Sequence, residues 1–297
     1  YLKLIKYTEK KIRLFSPDII ISIDSPSFNY RVLKRLCDLK SKKVKFFHYV
    51  APTVWAWKKY RAKLYANLYD KLFILFKFEK QYFTKYGLET LYVGHQIFYE
   101  KPKINKKKYI SFLPGSRTSE INNNFDEFLL VIEKCLRNFK DFDYYILTFK
   151  NHLDLIKPKL KKYTSKIKIV TDFQEKQKIM SESFLALAAS GSVTLELAKY
   201  QTPMIVVYKT HYITKLIIKF LVKVKYASII NIYFNRIIVP ELLFTDFNAK
   251  DAFFEIKKIV KSKEIREKQI KKLKDFSKNM LIKKKNPSEI IATSILK

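Results

Sequence analysis

The sequence predicts an α/β protein made of two doubly wound domains that face a cleft. Short β-branched runs alternate with longer helical patterns along the first two thirds of the chain. These runs are apolar almost throughout, which is typical of parallel strands covered on both faces. A polar stretch at 97–108, which contains Pro102, interrupts the alternation and indicates a linker. We therefore predict two parallel sheets in two separate domains.

The first domain is predicted to span 1–96. Its strands are expected at 18–24, 44–50, 71–76 and 90–93. The helical patterns between them lie at 28–39, 58–69 and 79–86. The order strand, helix, strand is that of a Rossmann-like domain.

The second domain is predicted to span 109–243. Its strands are expected at 109–113, 143–149, 166–170, 184–189 and 204–209. The remaining residues, 244–297, are rich in lysine and have helical patterns. We expect this region to pack back on the first domain or on a partner subunit.

The formal net charge of +33 admits three interpretations. Clustered basic residues bind nucleic acid by releasing counterions from phosphates, and they also bind anionic membranes. However, only eight of the 60 basic residues are arginine, the residue best suited to base-specific contacts. The lysines are spread over the whole chain, while Ile, Asn, Tyr and Phe are abundant and Gly is scarce. This pattern favours compositional drift first, an anionic membrane surface second, and no nucleic acid.

The segment 212–226, YITKLIIKFLVKVKY, is the most lipid-like stretch, although no run reaches the roughly 18 apolar residues of a membrane span. As a helix, it would place an apolar face against lipid and its lysines in water. The residues of that face are Ile213, Leu216, Ile217 and Phe220. An ordinary packed helix edged by lysines is the alternative.

The two cysteines, Cys37 and Cys135, have no Cys-x-x-Cys spacing and no neighbouring histidines. They are most simply reduced thiols, and we expect no metal site. This pattern fits a reducing cytoplasm, and no signal-peptide pattern opens the chain.

The stretch 113–120, LPGSRTSE, follows the first strand of the second domain. Ligands of open parallel sheets bind beyond the carboxyl ends of strands. Gly115 would let the backbone approach a ligand, and Arg117 would form charge-assisted bonds to a phosphate. Glu120 would brace that arginine or bond a ligand hydroxyl. A plain strand-to-helix turn with a solvated arginine is the alternative.

The stretch 188–196, AASGSVTLE, forms a second candidate loop. Backbone N–H groups at Gly191, Ser192 and Val193 would point towards an anion. Neither G-x-G-x-x-G nor a P-loop is present, which excludes the standard fingerprints. Glu196, about one helical turn further on, would reach a ribose, so the loop suits a nucleoside diphosphate. The alternative is an N-cap serine followed by an exposed glutamate.

In the first domain, Asp24 ends a strand and is a candidate general base, or else a capping residue. The stretch 48–64, HYVAPTVWAWKKYRAKL, places Trp55 and Trp57 before a basic helix. Indoles beside cations suit a lipid headgroup boundary, although tryptophans also pack in cores. His48 and His95 lie near strand ends without metal-binding partners and are interpreted as structural.

Taken together, the motifs resemble lipid-A-disaccharide synthase, an inverting glycosyltransferase of the GT-B fold. The matching pieces occur in family order: PDIIISIDSPSFN, HYVAPTVWAWKKYR, FILFKFEKQYFTKYG, YVGHQ, LPGSRTSEI, ASGSVTLE, TPMIVVYKT, LVKVKYASIINI and VPELL. They cover 18–243, and the VWAW and PGSR stretches are the most specific.

The resemblance implies that UDP-2,3-diacylglucosamine donates its sugar to the 6-hydroxyl of 2,3-diacylglucosamine 1-phosphate. The products would be a β-1,6-linked lipid A disaccharide 1-phosphate and UDP. By the same resemblance, Asp24 and Arg117 would be catalytic, Trp55 and Trp57 would contact membrane or acceptor, and no cofactor would be needed. The donor site implied by the resemblance comprises Gly115, Ser116, Arg117, Glu120, Ser190, Gly191, Ser192, Thr194, Glu196, Asn231 and Glu241.

The resemblance also implies a cytoplasmic enzyme, peripheral at the inner face of the inner membrane, and a homodimer that exchanges C-terminal segments. The family's opening Gly-Glu-x-Ser-Gly-Asp strand and loop have no match, so we expect an incomplete N-terminal domain. Ser27, Gln96 and Phe244 replace a usual Asp, Pro and Gln. Two other functions stay open: another GT-B UDP-GlcNAc transferase of envelope synthesis, and a non-catalytic basic protein that binds membrane or nucleic acid.

Overall fold

The computed structural model describes residues 1–163, 165–209, 225–244, 247–282 and 285–296. It divides into two compact units. The first contains Tyr1–Tyr99 together with the described residues from Met280 onwards. The second contains the described residues between Glu100 and Asn279. The C-terminal helical region is therefore shared between the two units.

The first unit alternates strands with short helices. Its strands are β1 (Ile19–Ile23), β2 (Lys45–Tyr49), β3 (Lys71–Ile74) and β4 (Glu89–Tyr92). Its first helices are α1 (Leu2–Phe15), α2 (Pro26–Lys34), α3 (Arg61–Ala66) and α4 (Lys80–Thr84). Three 3₁₀ turns lie at Cys37–Lys42, Lys77–Glu79 and Gln96–Phe98. The helix Pro287–Ile295 also belongs to this unit.

The strands of the first unit form a parallel sheet in the order β1-β2-β3-β4. The four predicted strands are confirmed; β1, β2 and β3 are each two residues shorter than the apolar run that indicated them, and β4 has the predicted length but begins one residue earlier. Fully buried side chains such as Phe46, Leu72 and Phe83 fill the core beside the sheet. Strand β1 departs from the expected double coverage, because Ile19, Ile21 and Ile23 are all exposed.

The helices of the first unit differ more from the sequence predictions. The predicted helix 28–39 ends at Lys34, and a 3₁₀ turn follows it up to Lys42. The predicted helix 58–69 starts only at Arg61, because Lys58 adopts a left-handed backbone conformation with φ 51°, and it ends at Ala66. Helix α1 was not predicted. It buries only Ile5 and leaves most of its apolar side chains exposed.

The described residues of the second unit form six strands and most of the long helices. Its strands are β5 (Tyr109–Leu113), β6 (Asp143–Leu147), β7 (Ile167–Val170), β8 (Leu185–Ala189), β9 (Met204–Tyr208) and β10 (Glu241–Leu243). Its first helices are α5 (Thr118–Asn138), α6 (Leu153–Leu160), α7 (Phe173–Glu182) and α8 (Val193–Lys199). The later ones are α9 (Ile229–Phe234), α10 (Ala249–Lys261) and α11 (Lys263–Asn279). Two 3₁₀ turns flank α6, at Lys150–His152 and Lys161–Tyr163.

The second sheet is parallel throughout and has the order β10-β9-β8-β5-β6-β7. The chain runs from β5 towards one edge through β6 and β7, and then resumes at β8 on the other side of β5. The loops that follow β5 and β8 therefore leave adjacent strands in opposite directions. In doubly wound sheets, such a reversal opens a crevice at the carboxyl ends of the strands.

Buried side chains on both faces of this sheet explain its near-continuous apolar strands. Strand β8 is buried over its whole length, as expected for a central parallel strand. Phe112, Phe128 and Ile256 lie in one core cluster that joins β5 to α5 and α10. Within the ranges that the structure describes, no helix is long and apolar enough to cross a membrane.

Candidate functional site

A cavity of about 290 Å³ lies at the strand-order reversal of the second unit. Its walls come from the loops after β5 and β8, with additional side chains from beyond β6 and β7. The predicted residues that line it are Gly115, Ser116, Arg117, Glu120, Ser190, Gly191, Ser192 and Glu196. The fold thus brings the two candidate loops, more than 70 positions apart in the sequence, into one site.

Glu120 organises the loop after β5. One of its carboxylate oxygens, Oε2, accepts hydrogen bonds from the backbone N–H groups of Ser116 at 2.8 Å and Arg117 at 3.3 Å. The other, Oε1, lies 3.3 Å from Nη1 of Arg117. Since 79% of the Arg117 side chain stays exposed, most of the guanidinium remains available to an anion in the cavity.

The loop after β8 presents small residues to the cavity. A Cβ added at Gly191 would meet nothing within 4 Å, so the wall is open at this point. Ser192 makes no side-chain capping bond to α8, so the N-cap alternative is not realised. Thr194 does not line the cavity, because its side chain is buried and its hydroxyl donates to the Gly191 carbonyl at 2.8 Å.

Glu196 and Lys176 place opposite charges on the cavity wall. Burial raises the pKa of Glu196, while the positive charges of Lys176 and Lys199 act in the opposite direction. Burial also lowers the pKa of Lys176, which Glu196 partly offsets. Glu196 is half-buried rather than solvated, so the alternative of an exposed glutamate is wrong.

The lining residues that sequence reasoning missed include Phe149, Phe173 and Lys176. The side chain of Phe173 is 63% exposed, and the Lys176 ammonium lies 3.8 Å from the ring centroid of Phe149. Exposed aromatic rings at a cavity offer a stacking surface for a flat base. Both phenylalanines lie shortly beyond the carboxyl ends of β6 and β7, but no motif in the sequence marks them.

Asn231 and Glu241 do not line the cavity formed by the described residues. The Asn231 side chain is fully buried, donates to Glu241 at 2.7 Å, and accepts from the N–H groups of Ile238 and Val239 at 2.7 and 3.0 Å. Glu241 also accepts hydrogen bonds from backbone N–H groups near the start of α9. Their observed contacts hold α9 against β10.

In the first unit, Asp24 follows β1 with a left-handed backbone, φ 49°. Its N–H donates to the Tyr49 carbonyl at 2.9 Å, and its own carbonyl accepts from Asn29 at 2.6 Å. The side chain is exposed and accepts no hydrogen bond from the described parts of the chain. Helix α2 begins without a side-chain cap, so the capping alternative for Asp24 is not realised.

The two tryptophans have different environments. Trp55 is half-buried, and its indole N–H donates to Glu79 at 3.4 Å. Trp57 is 38% exposed, with the Lys58 ammonium 4.2 Å from its ring centroid. Only Trp57 thus has the environment expected at a headgroup boundary. The apolar face predicted for 212–226, with Ile213, Leu216, Ile217 and Phe220, lies outside the described residues.

The histidines of the first unit have the surroundings of structural residues. His48 is fully buried and contacts the Ser22 hydroxyl at 2.7 Å through Nδ1. Burial lowers the pKa of both His48 and His95 to about 4. Cys37 and Cys135 are free thiols. Within the described ranges, no cluster of three or more His, Cys, Asp or Glu residues has the arrangement of a metal site.

Comparison with known families supports the sequence resemblance. The model of the lipid-A-disaccharide synthetase family matches residues 1–295. The lipid-A-disaccharide synthase of Rickettsia typhi is 34% identical over 99% of this chain and 80% of its own length. The Rickettsia prowazekii enzyme is 36% identical over the same shares.

Solved structures support the fold. UDP-GlcNAc 2-epimerase from Neisseria meningitidis, bound to UDP-GlcNAc, matches with a TM-score of 0.64 and 14% identity, over 98% of this chain and 80% of that chain. The Methanocaldococcus jannaschii enzyme, in complex with UDP-GlcNAc and UDP, matches with a TM-score of 0.53 and 14% identity, over 92% and 80%. The fold is of the GT-B type, as predicted.

Proposed function

Because the chain belongs to the lipid-A-disaccharide synthetase family and is thereby a glycosyltransferase of lipid A disaccharide synthesis, we propose its substrates and the residues that act on them. The donor is UDP-2,3-diacylglucosamine, and the acceptor is 2,3-diacylglucosamine 1-phosphate. The acceptor 6-hydroxyl oxygen forms a bond to the anomeric carbon of the donor. The bond from that carbon to the diphosphate breaks, UDP leaves, and the configuration inverts to the β-1,6 linkage.

The observation that carries this proposal is the cavity shared by the loops after β5 and β8. It combines a largely exposed arginine, a half-buried carboxylate and aromatic rings. These three features match the diphosphate, the ribose hydroxyls and the uracil ring of UDP. Its volume of about 290 Å³ lies just below the range of about 300–1,000 Å³ that is usual for small-molecule sites.

Arg117 binds the diphosphate in this proposal and stabilises the departing UDP. Negative charge on the diphosphate grows as the glycosidic bond breaks, so a positive charge already in place lowers the barrier more than it strengthens substrate binding. Ser116 and Ser192 supply hydroxyl donors on opposite walls, and Gly115, Ser190 and Gly191 complete the loop surfaces. Glu196 accepts hydrogen bonds from the ribose hydroxyls.

Asp24 acts as the general base in this proposal and removes the proton of the acceptor hydroxyl. Its exposed carboxylate makes no hydrogen bond within the described ranges, so it can accept that proton. The left-handed backbone at Asp24 supports a functional interpretation, because strain of about 1–3 kcal/mol in non-glycine residues concentrates at functional sites.

We place the enzyme in the cytoplasm, at the inner face of the inner membrane, since both substrates carry acyl chains. The exposed Trp57 beside Lys58 and the net charge of +33 support contact with an anionic lipid surface. We also propose a homodimer that exchanges C-terminal segments, in keeping with the family resemblance. Flotation with anionic and neutral vesicles tests the first proposal, and light scattering tests the second.

The reaction is tested by incubating the protein with the acylated donor and the acceptor. Mass spectrometry should detect a disaccharide monophosphate and an equal amount of UDP. UDP-GlcNAc without acyl chains serves as the control donor and should react at least tenfold more slowly. Equal turnover of both donors would instead favour another UDP-GlcNAc transferase.

A further inference from the structure

We propose that a second cavity, which lies in the first unit, binds the phosphate monoester of the acceptor glycolipid; this inference rests on the function proposed above. The cavity has a volume of about 220 Å³. It lies beyond the carboxyl ends of β1 and β2, where the start of α3 closes it. Its walls include Pro26, Ser27, Pro52, Thr53, Trp57 and Arg61.

Arg61 supplies the charge that a phosphate needs. Its Nη2 donates to the Ser27 hydroxyl at 3.1 Å, and it forms no ion pair with a carboxylate anywhere in the described chain. A guanidinium has five N–H donors in a planar fork, so most of them remain for a second partner. Arginine forks match phosphate oxygens better than any other side chain does.

A second positive charge lies over the ring of Trp57, one of the residues that line the cavity. The Lys58 ammonium lies 4.2 Å from the centroid of the Trp57 ring, and the Arg61 guanidinium carbon lies 5.7 Å from the same centroid. Two cations over one indole repel each other, and a bound dianion between them would relieve that repulsion. The arrangement therefore favours an anion over a neutral ligand.

The remaining walls suit the sugar that carries the phosphate. The hydroxyls of Ser27 and Thr53 provide neutral hydrogen-bonding groups, while Pro26, Pro52 and the Trp57 ring provide apolar surfaces. A hexose phosphate has the same combination of polar edges, an apolar ring face and a doubly charged end. The mixed lining fits such a molecule better than it fits an isolated inorganic anion.

The backbone around this cavity is strained. Asp24, Ser25, Val50 and Lys58 all have left-handed φ values, at 49°, 43°, 73° and 51°. For a β-branched residue such as Val50 this is a rare conformation. These residues lie in, or directly beside, the segments that form the cavity. Strained backbone conformations concentrate at functional sites, so their grouping here supports a binding role for the cavity.

The position of the cavity suggests what phosphate binding would do for the reaction. Asp24 is two residues before Pro26, so their Cα atoms lie within about 7.6 Å of each other. A phosphate held on Arg61 would anchor the acceptor sugar beside the carboxylate proposed as its general base. The cavity would thereby orient the acceptor and distinguish phosphorylated from unphosphorylated glycolipid.

Phosphate groups also occur in lipid headgroups and in free solution, so the test must separate these sources. Tryptophan fluorescence of the whole protein is titrated with glucosamine 1-phosphate, glucosamine and inorganic phosphate. Glucosamine 1-phosphate should bind at least tenfold more tightly than either of the others. Equal binding of inorganic phosphate, or of glycerol 3-phosphate as an analogue of the lipid headgroup, would overturn the assignment to the acceptor.

Arg61→Gln should weaken glucosamine 1-phosphate binding at least tenfold, and Arg61→Lys should restore part of it. Lys59→Gln removes the same charge from an exposed neighbour that does not line the cavity, and it should bind like the parent. Circular dichroism and unchanged UDP binding would show that the variants are folded. Parental affinity in a folded Arg61→Gln variant would overturn the proposal.

A kinetic comparison tests whether the cavity recognises the phosphate of the acceptor during the reaction. In Arg61→Gln, kcat/KM for the phosphorylated acceptor should fall at least tenfold, while kcat/KM for the same acceptor without its phosphate stays unchanged. An equal loss with both acceptors would show a structural effect and overturn the proposal. If the parent protein turns over neither acceptor, the proposed reaction fails, and the fluorescence titration still decides whether the cavity binds a sugar phosphate.

Discussion

Gly115 and Glu120 are in contact, and their contact shapes the arginine loop of the second unit. A Cβ atom built on Gly115 would lie 2.6 Å from Cβ and 2.7 Å from Oε2 of Glu120. Gly115 also has φ 136°, which side-chain-bearing residues rarely adopt. A side chain at position 115 would therefore overlap with Glu120, whose carboxylate caps the loop. It would also keep a ligand on the cavity side away from the backbone.

Gly115→Ala should destabilise the protein by about 1–3 kcal/mol, because both the backbone angle and the Glu120 contact resist a methyl group. It should also weaken UDP binding, since Glu120 would have to release the N–H groups of Ser116 and Arg117. Urea unfolding measures the first effect. Gly191→Ala is the matched control for stability, because its added methyl group would meet nothing within 4 Å. Equal stabilities of the two variants would contradict this account.

Asp24→Asn should lower kcat by 10²-fold or more while leaving UDP affinity unchanged, because the amide cannot accept the acceptor proton. Steady-state kinetics with both substrates and a separate UDP titration check the two parts. Asp18→Asn, at the other end of β1, removes one negative charge far from the carboxyl edge of the sheet and serves as the control. A variant with parental kcat would exclude Asp24 as the base.

His48 should make the first unit sensitive to acid. Its pKa is lowered to about 4 in the folded protein, against an ordinary value of 6.5, so below pH 6.5 the unfolded chain takes up a proton that the folded chain excludes. Stability should therefore fall between pH 6.5 and about 4. At pH 5 the loss from this residue is about 2 kcal/mol.

His48→Phe removes this titration, and its unfolding free energy should change less than that of the parent between pH 7 and pH 5. The comparison must be made as a difference from the parent, because Glu79 acts in the opposite sense. Burial raises the pKa of Glu79 to about 7, so its contribution to stability is lost as the pH rises from 4.5 to 7. Parallel pH profiles for parent and variant would show that His48 does not titrate as described.

Strands β1 to β9 could be predicted from the sequence because each is marked by a local feature, an apolar run too short for a helix, whereas the three-residue edge strand β10 has no such run and was not predicted. Glu120 and Arg117 could also be placed together, since a glutamate three residues into a helix caps the loop before it. Phe149 and Phe173 could not be assigned in this way. Their position in the cavity depends on β6 lying beside β5 and β7 beside β6, which is a property of the strand order and not of any local pattern.

Asn231 shows a second limit of prediction from the sequence. Its place in a matching motif gave no information on where its amide points, and in the structure the amide is fully used by Val239, Ile238 and Glu241. The exposed face of β1 is a further case, because apolar runs predict a strand without showing which of its faces is covered. In each case the missing information is tertiary packing.

We infer that the loops after β5 and β8 together bind the nucleotide, and calorimetric titration of UDP measures that binding without a second substrate. We expect saturable binding to the parent, and at least tenfold weaker binding, or about 1.4 kcal/mol, for both Arg117→Ala and Glu196→Ala. Arg137→Ala, an exposed position at the other end of α5, should bind like the parent. A folded parent that does not bind UDP, or two variants with parental affinity, would show that these loops do not form the nucleotide site.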